Sequence, residues 1–175
     1  MADSSPQRIY KELDPDKLRD ALRFWTTGVT IVSATHAGVM HGMTANSFTS
    51  LSLEPPLVMV SLEKSTRTQE LVRQSGFYAV TVLNAAQQSL SDRFAGRDTE
   101  QSNRFEGVKH FELQSGSPIV YGGLAFFDCK VESTLDAGTH TIYVGRVLEA
   151  GVSAPDGNPA PLAYFNRAYR RLSNP

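Results

Sequence analysis

Hydrophobic positions alternate with small or polar ones over 28–35 (GVTIVSAT), and the β-branched content of that run predicts a strand. His36-Ala37-Gly38 has turn composition, and 39–44 predicts the returning hairpin strand. Thr44, Ala45, Asn46 and Ser47 follow as a loop of small side chains, the chain halts at Pro55-Pro56, and 57–62 (LVMVSL) predicts a further strand. A polar turn leads into a short helix over 69–74, then FYAVTVL (77–83) predicts another strand. Asn84 caps a helix that ends at Gly96 as a C-cap glycine, with Leu90 and Phe94 four apart on one face. Residues 97–110 are the most polar interior stretch and read as a surface excursion, a lid or an oligomer contact. Strand 124–132 and the turn 135–138 come next. Over 139–149, His140, Ile142 and Val144 alternate with Thr141, Tyr143 and Gly145. A Pro/Gly/Asn loop (151–161) separates this strand from a last element, 162–171.

Upstream, residues 1–13 read as a flexible arm before one domain spanning 14–175. Asp14-Pro15-Asp16 is a helix start: an N-cap, a proline at the first helical position and an acid toward the dipole. Leu18, Leu22 and Trp25 recur at helical spacing, so Trp25 reads as an anchor of this helix on a sheet, ahead of a ring-stacking residue. Short strands at hairpin spacing with three short helices predict a mostly β, antiparallel barrel. No G-x-G-x-x-G occurs, which removes support for a doubly wound dinucleotide fold.

Composition narrows the function classes. A net charge of −1 leaves no basic excess for a nucleic-acid binder. A single cysteine, Cys129, excludes an intrachain disulfide and any multi-cysteine metal site, and its apolar setting reads as core. No apolar run reaches the ~20 residues of a membrane span. No metal site is expected. The N-terminus shows no apolar signal segment, so the cytoplasm is the expected location.

Two polar clusters carry the candidate chemistry. Thr44 to Ser47 have little bulk and many donors and acceptors, as a backbone approached by a flat ligand requires. The second, 61–68, leads into a helix start, whose free N–H groups flanked by hydroxyls and two cations make an anion site. A ring cradle followed by a phosphate site fits a flavin. Taken singly, Ser and Thr before a helix are more often ordinary N-caps. His41 reads as a surface histidine of the hairpin.

The stretch MTANSFTSLSLEPPLVMVSLEKSTRT (43–68) resembles the signature of the short-chain flavin reductases, the reductase components of two-component flavin monooxygenases. The resemblance continues through FWTTGVTIVSA (24–34), FYAVTVLNAAQQSLSDRFAG (77–96), GTHTIYVGRVLEA (138–150) and PLAYFNRAYRRL (161–172). It implies an FMN-binding split β-barrel with Greek-key-like order, and a homodimer with flavin near the subunit interface. The implied activity is NAD(P)H:flavin oxidoreduction, NADH favoured, delivering reduced FAD or FMN to a separate flavin-dependent monooxygenase. By the same resemblance Met43, Thr44, Ala45, Asn46 and Ser47 border the ring. Ser61, Leu62, Glu63, Lys64, Ser65, Arg67 and Thr68 form the phosphate and ribityl region, and Arg93 and Phe94 border the flavin. His140 matches the residue near the nicotinamide, although Thr139 stands where many relatives carry an acid. Tyr164, Phe165, Asn166 and Arg167 offer an aromatic platform and a cation for the dinucleotide, or simply a solvated strand. The alternatives are an oxidase of the same barrel class with tightly held FMN, and a non-enzymatic flavin- or haem-binding module.

Overall fold

The computed structural model describes residues 11–97, 103–153 and 160–172. Asp14 caps the first helix, α1 (Pro15–Leu22), by accepting from the Asp16 N–H (2.9 Å). Then come β1 (Thr27–Gly28), β2 (Thr30–His36), β3 (Val39–Ala45), β4 (Thr49–Ser52) and β5 (Leu57–Glu63). Helix α2 (Arg67–Ser75) precedes β6 (Phe77–Val82). A 3-10 turn (Ala85–Gln87) held by an Asn84/Gln87 capping box opens α3 (Gln88–Phe94). The rest is β7 (His110–Phe111), β8 (Ile119–Val120), β9 (Ala125–Ala137), β10 (His140–Val152), β11 (Ala163–Phe165) and β12 (Ala168–Arg170).

The main sheet is antiparallel in the order β3-β2-β6-β9-β10-β5-β4. Its two outermost strands, β3 and β4, are joined by Asn46, Ser47 and Phe48 alone. A linker that short spans on the order of 10 Å, so the sheet has to curl until its edges meet. No ladder zips those edges, and the result is a split barrel, as expected. The interior is filled from the alternating inward positions: Val58, Val60 and Leu62 of β5, Tyr78 and Val80 of β6, and Tyr143 of β10. Gly145 is the gap that admits Tyr78, since a Cβ there would lie 2.2 Å from the phenol oxygen. Leu71 and Val72 of α2 close one end. Each of these fully buried aliphatic side chains contributes about 1.5–3 kcal/mol of transfer free energy. Cys129 is sealed among them, and burial pushes its thiol up to about 12.

A second cluster lies outside the barrel, where Val29, Ile31 and Leu83 meet Phe94 of α3, Phe105 and Leu162. It corrects the reading of 97–110 as a surface excursion: Phe105 is 3% exposed and edge-on to Phe94. Residues 98–102 of that stretch lie outside the described residues, as do 154–159 of the later loop and 1–10 of the arm.

Two further expectations fail. Trp25 does not anchor α1 to a sheet: the helix ends at Leu22, the chain leaves helical register, and Trp25 is 74% exposed. The C-terminal stretch is a hairpin, β11 and β12, turning on Asn166 and Arg167, both at positive φ. That hairpin fixes the end of α1 instead. Asn166 accepts from Arg23 Nε (2.6 Å) and donates its backbone N–H to the Arg23 carbonyl (2.7 Å), and Phe165 packs edge-on to Phe24.

Candidate active site

Among the described residues strand β3 pairs with β2 alone, so the backbone groups along its other edge stay outside the ladder. The C-terminal end of α3 runs beside that edge. Thr44 Oγ1 donates to the Ser91 carbonyl (2.6 Å), and Arg104 Nη1 donates to the carbonyls of Gly42 in β3 (3.0 Å) and Phe94 in α3 (2.8 Å). Between these walls runs a groove of three adjoining compartments. The first, about 190 Å³, lies among Thr44, Ala45, Asn46, Ala95, Arg97, Tyr164 and Tyr169. The central one, about 410 Å³, shares Thr44 and Ala95 with it and adds His41, Met43, Glu63, Thr66, Arg67, Thr68, Phe94 and Arg104. The third, about 390 Å³, shares His41 and Arg67 with the central one and ends at Gly38, Val39, Met40 and Asn103.

The central compartment gathers cations and helix N–H groups. Thr66 is extended and caps α2: its Oγ1 accepts from the Gln69 N–H (3.4 Å) and donates to the Glu63 carbonyl (2.8 Å). The first-turn N–H groups of Arg67 and Thr68 have no partner within the helix. Arg67 and Arg104 supply two positive charges against one carboxylate, Glu63. Burial lowers the Arg104 pKa, so its charge is poorly hydrated and gains from a partner. His41 sits between them with Nδ1 2.8 Å from Thr68 Oγ1. Burial first, then the Arg104 and Arg67 charges, push it down to about 4, so it is neutral at pH 7.

The predicted residues separate into those that meet the groove and those that do not. Thr44 and Ala45 belong to β3 rather than to a loop, and with Asn46 they line the first compartment. Met43, Glu63, Arg67 and Thr68 line the central one. Ser47 is used structurally, its hydroxyl accepting from the Ser61 N–H (3.1 Å) and donating to the Ser61 carbonyl (2.8 Å). Leu62 is a correction, because its alternating position turns the side chain into the core. Lys64 pairs with Asp136 at 3.4 Å, and neither it nor Ser65 lines the groove. Arg93 is also corrected: its guanidinium braces the carbonyls of Asn103 and Glu106. Phe94 borders the central compartment from below, its ring fully buried.

Of the C-terminal group, Tyr164 reaches the first compartment, whereas Phe165 and Asn166 hold α1 and Arg167 pairs with Asp20 (3.1 Å). His140 stands opposite Glu63 in the β10–β5 ladder with Nδ1 3.0 Å from Thr139 Oγ1, and it lines none of the three compartments. His41 is not the surface histidine expected. It is half-buried in the groove, and its two-residue spacing from Met43 on one strand face was the signal available. Arg104 and Tyr169 carried none, because they arrive from distant segments.

The flavin reductase like domain family model matches residues 22–173 of the chain. The NADH-dependent flavin reductase StyB of Pseudomonas fluorescens is 39% identical over 163 residues, 92% of each chain. The flavin-dependent monooxygenase reductase subunit HsaB of Rhodococcus jostii RHA1 is 42% identical over 135 residues, covering 77% of this chain and 68% of HsaB. The NADH:FAD oxidoreductase SgcE6 of Streptomyces globisporus, solved in complex with NAD and FAD fragments, superposes with a TM-score of 0.82 at 30% identity, covering 94% of this chain and 98% of that one. With the split barrel, the open β3 edge and this similarity along its length, the chain belongs to the flavin reductase-like family.

Proposed function

We propose that the groove holds a flavin, with its ring along the β3 edge in the first compartment and its phosphate in the central one. The protein is an NAD(P)H:flavin oxidoreductase, and the NADH dependence of StyB favours NADH. One observation carries the placement. The edge of β3 that stays outside the ladder among the described residues runs into a compartment where Arg67, Arg104 and the α2 N-terminus converge. A ring edge needs backbone donors and acceptors, a phosphate needs cations and free N–H groups, and the groove offers them in that order.

Bound flavin supplies the electron-accepting ring that takes a hydride equivalent from the nicotinamide. The chain's residues bind and orient. Thr44, Ala45 and Asn46 present the ring edge with polar groups, Tyr164 and Tyr169 close the first compartment with aromatic surface, and Arg67 fixes the phosphate. The family resemblance alone assigns His140 to the nicotinamide side; it stands opposite Glu63 on the neighbouring strand and lines none of the three compartments, so its action on the nicotinamide would be from outside the groove.

The family relationship to reductase subunits such as HsaB supports delivery of reduced flavin to a separate monooxygenase. NADH is regenerated in the cytoplasm, so we place the protein there. No described helix is long and apolar enough to cross a membrane. We also propose a homodimer: Leu18, Leu22, Phe24 and Trp25 are each about half or more exposed, and an apolar set of that size calls for a cover. Light scattering at one chain mass, with activity retained, would sink the dimer. Steady-state NADH oxidation with and without added FAD or FMN tests the activity. A reductase consumes NADH only when flavin is added. An oxidase would arrive yellow and ignore NADH, and a binding module would do neither.

A further inference from the structure

We infer that Asp92 is a positioning residue that sets the balance between oxidised and reduced flavin in the first compartment: it pairs with Arg97, the cation lining that compartment, and keeps its charge from retaining the reduced product. The inference rests on the ring placement proposed above and goes beyond it in assigning product release to a residue pair.

Arg97 reaches the compartment because of how α3 ends. Gly96 takes a positive φ (+73°), and the chain folds back on the helix. The Gly96 N–H donates to the Arg93 carbonyl (3.1 Å) and the Arg97 N–H to the Asp92 carbonyl (3.1 Å). This is a Schellman end, which brings the side chains of Asp92 and Arg97 together. Such ends commonly join that pair of positions by an apolar contact. Here the contact is an ion pair, Arg97 Nη1 to Asp92 Oδ1 at 2.7 Å. The helix gains little from it. A carboxylate in the last turn opposes the macrodipole, and an ion pair as exposed as this one adds little stability.

The pair matters at the compartment instead. Arg97 is the one charged side chain that lines it among the described residues, and Asp92 stands behind, outside the lining. Asp92 Oδ1 also accepts from the Tyr169 hydroxyl (3.1 Å), whose oxygen lies 2.9 Å from Ser91 Oγ. The Arg97 guanidinium sits 5.8 Å from the Tyr169 ring centre. One carboxylate oxygen thus fixes both the cation and the aromatic wall.

Hydride transfer from the nicotinamide C4 to the flavin N5 leaves an oxidised nicotinamide and adds negative charge over the flavin N1 and its neighbouring carbonyl. An unpaired guanidinium beside the ring would hold that anionic form more tightly than the neutral oxidised one, and the product would stay. The Asp92 carboxylate offsets the Arg97 charge, so the two redox states bind alike and the reduced flavin leaves.

The test titrates oxidised flavin and flavin reduced anaerobically with dithionite, FMN and FAD each, against the wild type, Asp92→Asn, Arg97→Gln and the double variant. Asparagine keeps an acceptor for the Tyr169 hydroxyl and removes the charge alone. The wild type is expected to bind the two redox states within about threefold of each other. Asp92→Asn should bind the reduced form about three- to thirtyfold tighter, with oxidised affinity and melting temperature as in the wild type, and the gain should shrink as salt rises. Arg97→Gln and the double variant should show no such gain. An unchanged ratio in Asp92→Asn overturns the inference, as does a wild type that already favours reduced flavin by more than about threefold. So does an Asp92→Asn protein that weakens both redox states alike, which would make Asp92 a brace of the wall. A gain that persists in the double variant also overturns it, since Arg97 would then not carry the effect. A wild type that binds flavin in neither redox state would remove the reductase reading itself, and the inference with it.

Discussion

Arg67 and Lys64 look equivalent in sequence, three residues apart in one polar cluster, and the structure separates them. Arg67 borders both the central and third compartments, and no carboxylate pairs with it among the described residues. Lys64 lines none of the compartments and is paired with Asp136. A charge-assisted hydrogen bond to a phosphate is worth about 1.5–3 kcal/mol. Arg67 is exposed, so solvent and salt reduce that to about 1–2 kcal/mol. Arg67→Ala should therefore raise the flavin KM about 5- to 30-fold. The contact is equal in ground and transition states, so kcat should be nearly unchanged. Lys64→Ala removes only an exposed ion pair worth about 0–1 kcal/mol, and its flavin KM should move less than about fivefold. The assay is steady-state NADH oxidation with flavin varied at low and high salt, and the Arg67 effect should shrink as salt rises. Equal effects for the two residues, or an Arg67→Ala enzyme that loses kcat at unchanged flavin KM, would refute the placement of the phosphate.

Three other outcomes follow from the same geometry. A Cβ on Gly42 would lie 2.8 Å from Phe94 Cε1 and 3.1 Å from Phe105 Cε2, both on fully packed rings, so Gly42→Ala should cost about 1–3 kcal/mol. The melting temperature should drop by roughly 2–12 °C, with weaker flavin binding as α3 shifts. His41 titrates at about 4 in the folded chain, below its ordinary 6.5, so the unfolded chain binds the extra proton between those values. Its contribution is present above pH 6.5 and is lost as pH falls toward 4; after allowance for its partial exposure this is about 1–2 kcal/mol. Melting curves across that range should be flatter for His41→Gln than for the wild type. Finally, His140→Ala should lower kcat/KM for NADH about ten- to a hundredfold with flavin affinity intact. A stopped-flow reduction rate equal to wild type in a destabilised variant would return His140 to a structural role.

Strand positions were legible because period-2 alternation and β-branched content agree over 28–35, 57–62 and 77–83, and no competing signal crosses them. Helix α2 was legible as a short helix over 69–74 behind a polar turn, but its true start at Arg67, capped by Thr66, and its Gly76 C-cap were not read. Trp25 misled because helical spacing continued past the point where the helix stops, and spacing carries no information about what lies opposite. The C-terminal hairpin was missed because its turn is Asn166-Arg167, and an arginine at positive φ is not a turn signature. At the site, one run of sequence contributes Met43, Thr44, Asn46, Arg67 and Thr68, and that part could be read. Arg104 could not, since its partners Gly42 and Phe94 are brought to it only by folding.

The place where the groove lies follows from how the barrel closes. The two ends of the sheet are neighbours in sequence, yet among the described residues β3 pairs only with β2 and β4 only with β5. A fully zipped barrel would consume the outer N–H and C=O groups of β3, leaving nothing for a ligand. An open edge with no cover would template pairing with other chains. The fold takes a middle course. Ser47 ties the β3–β4 linker to β5 through two hydrogen bonds to Ser61, which holds the seam at fixed width. Arg104 then caps the Gly42 carbonyl and joins α3 to the edge, narrowing what remains open to the stretch around Thr44 and Asn46. The unpaired backbone that a sheet edge must hide thus faces the groove, which is where the ring is proposed to lie, beside Arg67 and Arg104, the cations proposed for its phosphate.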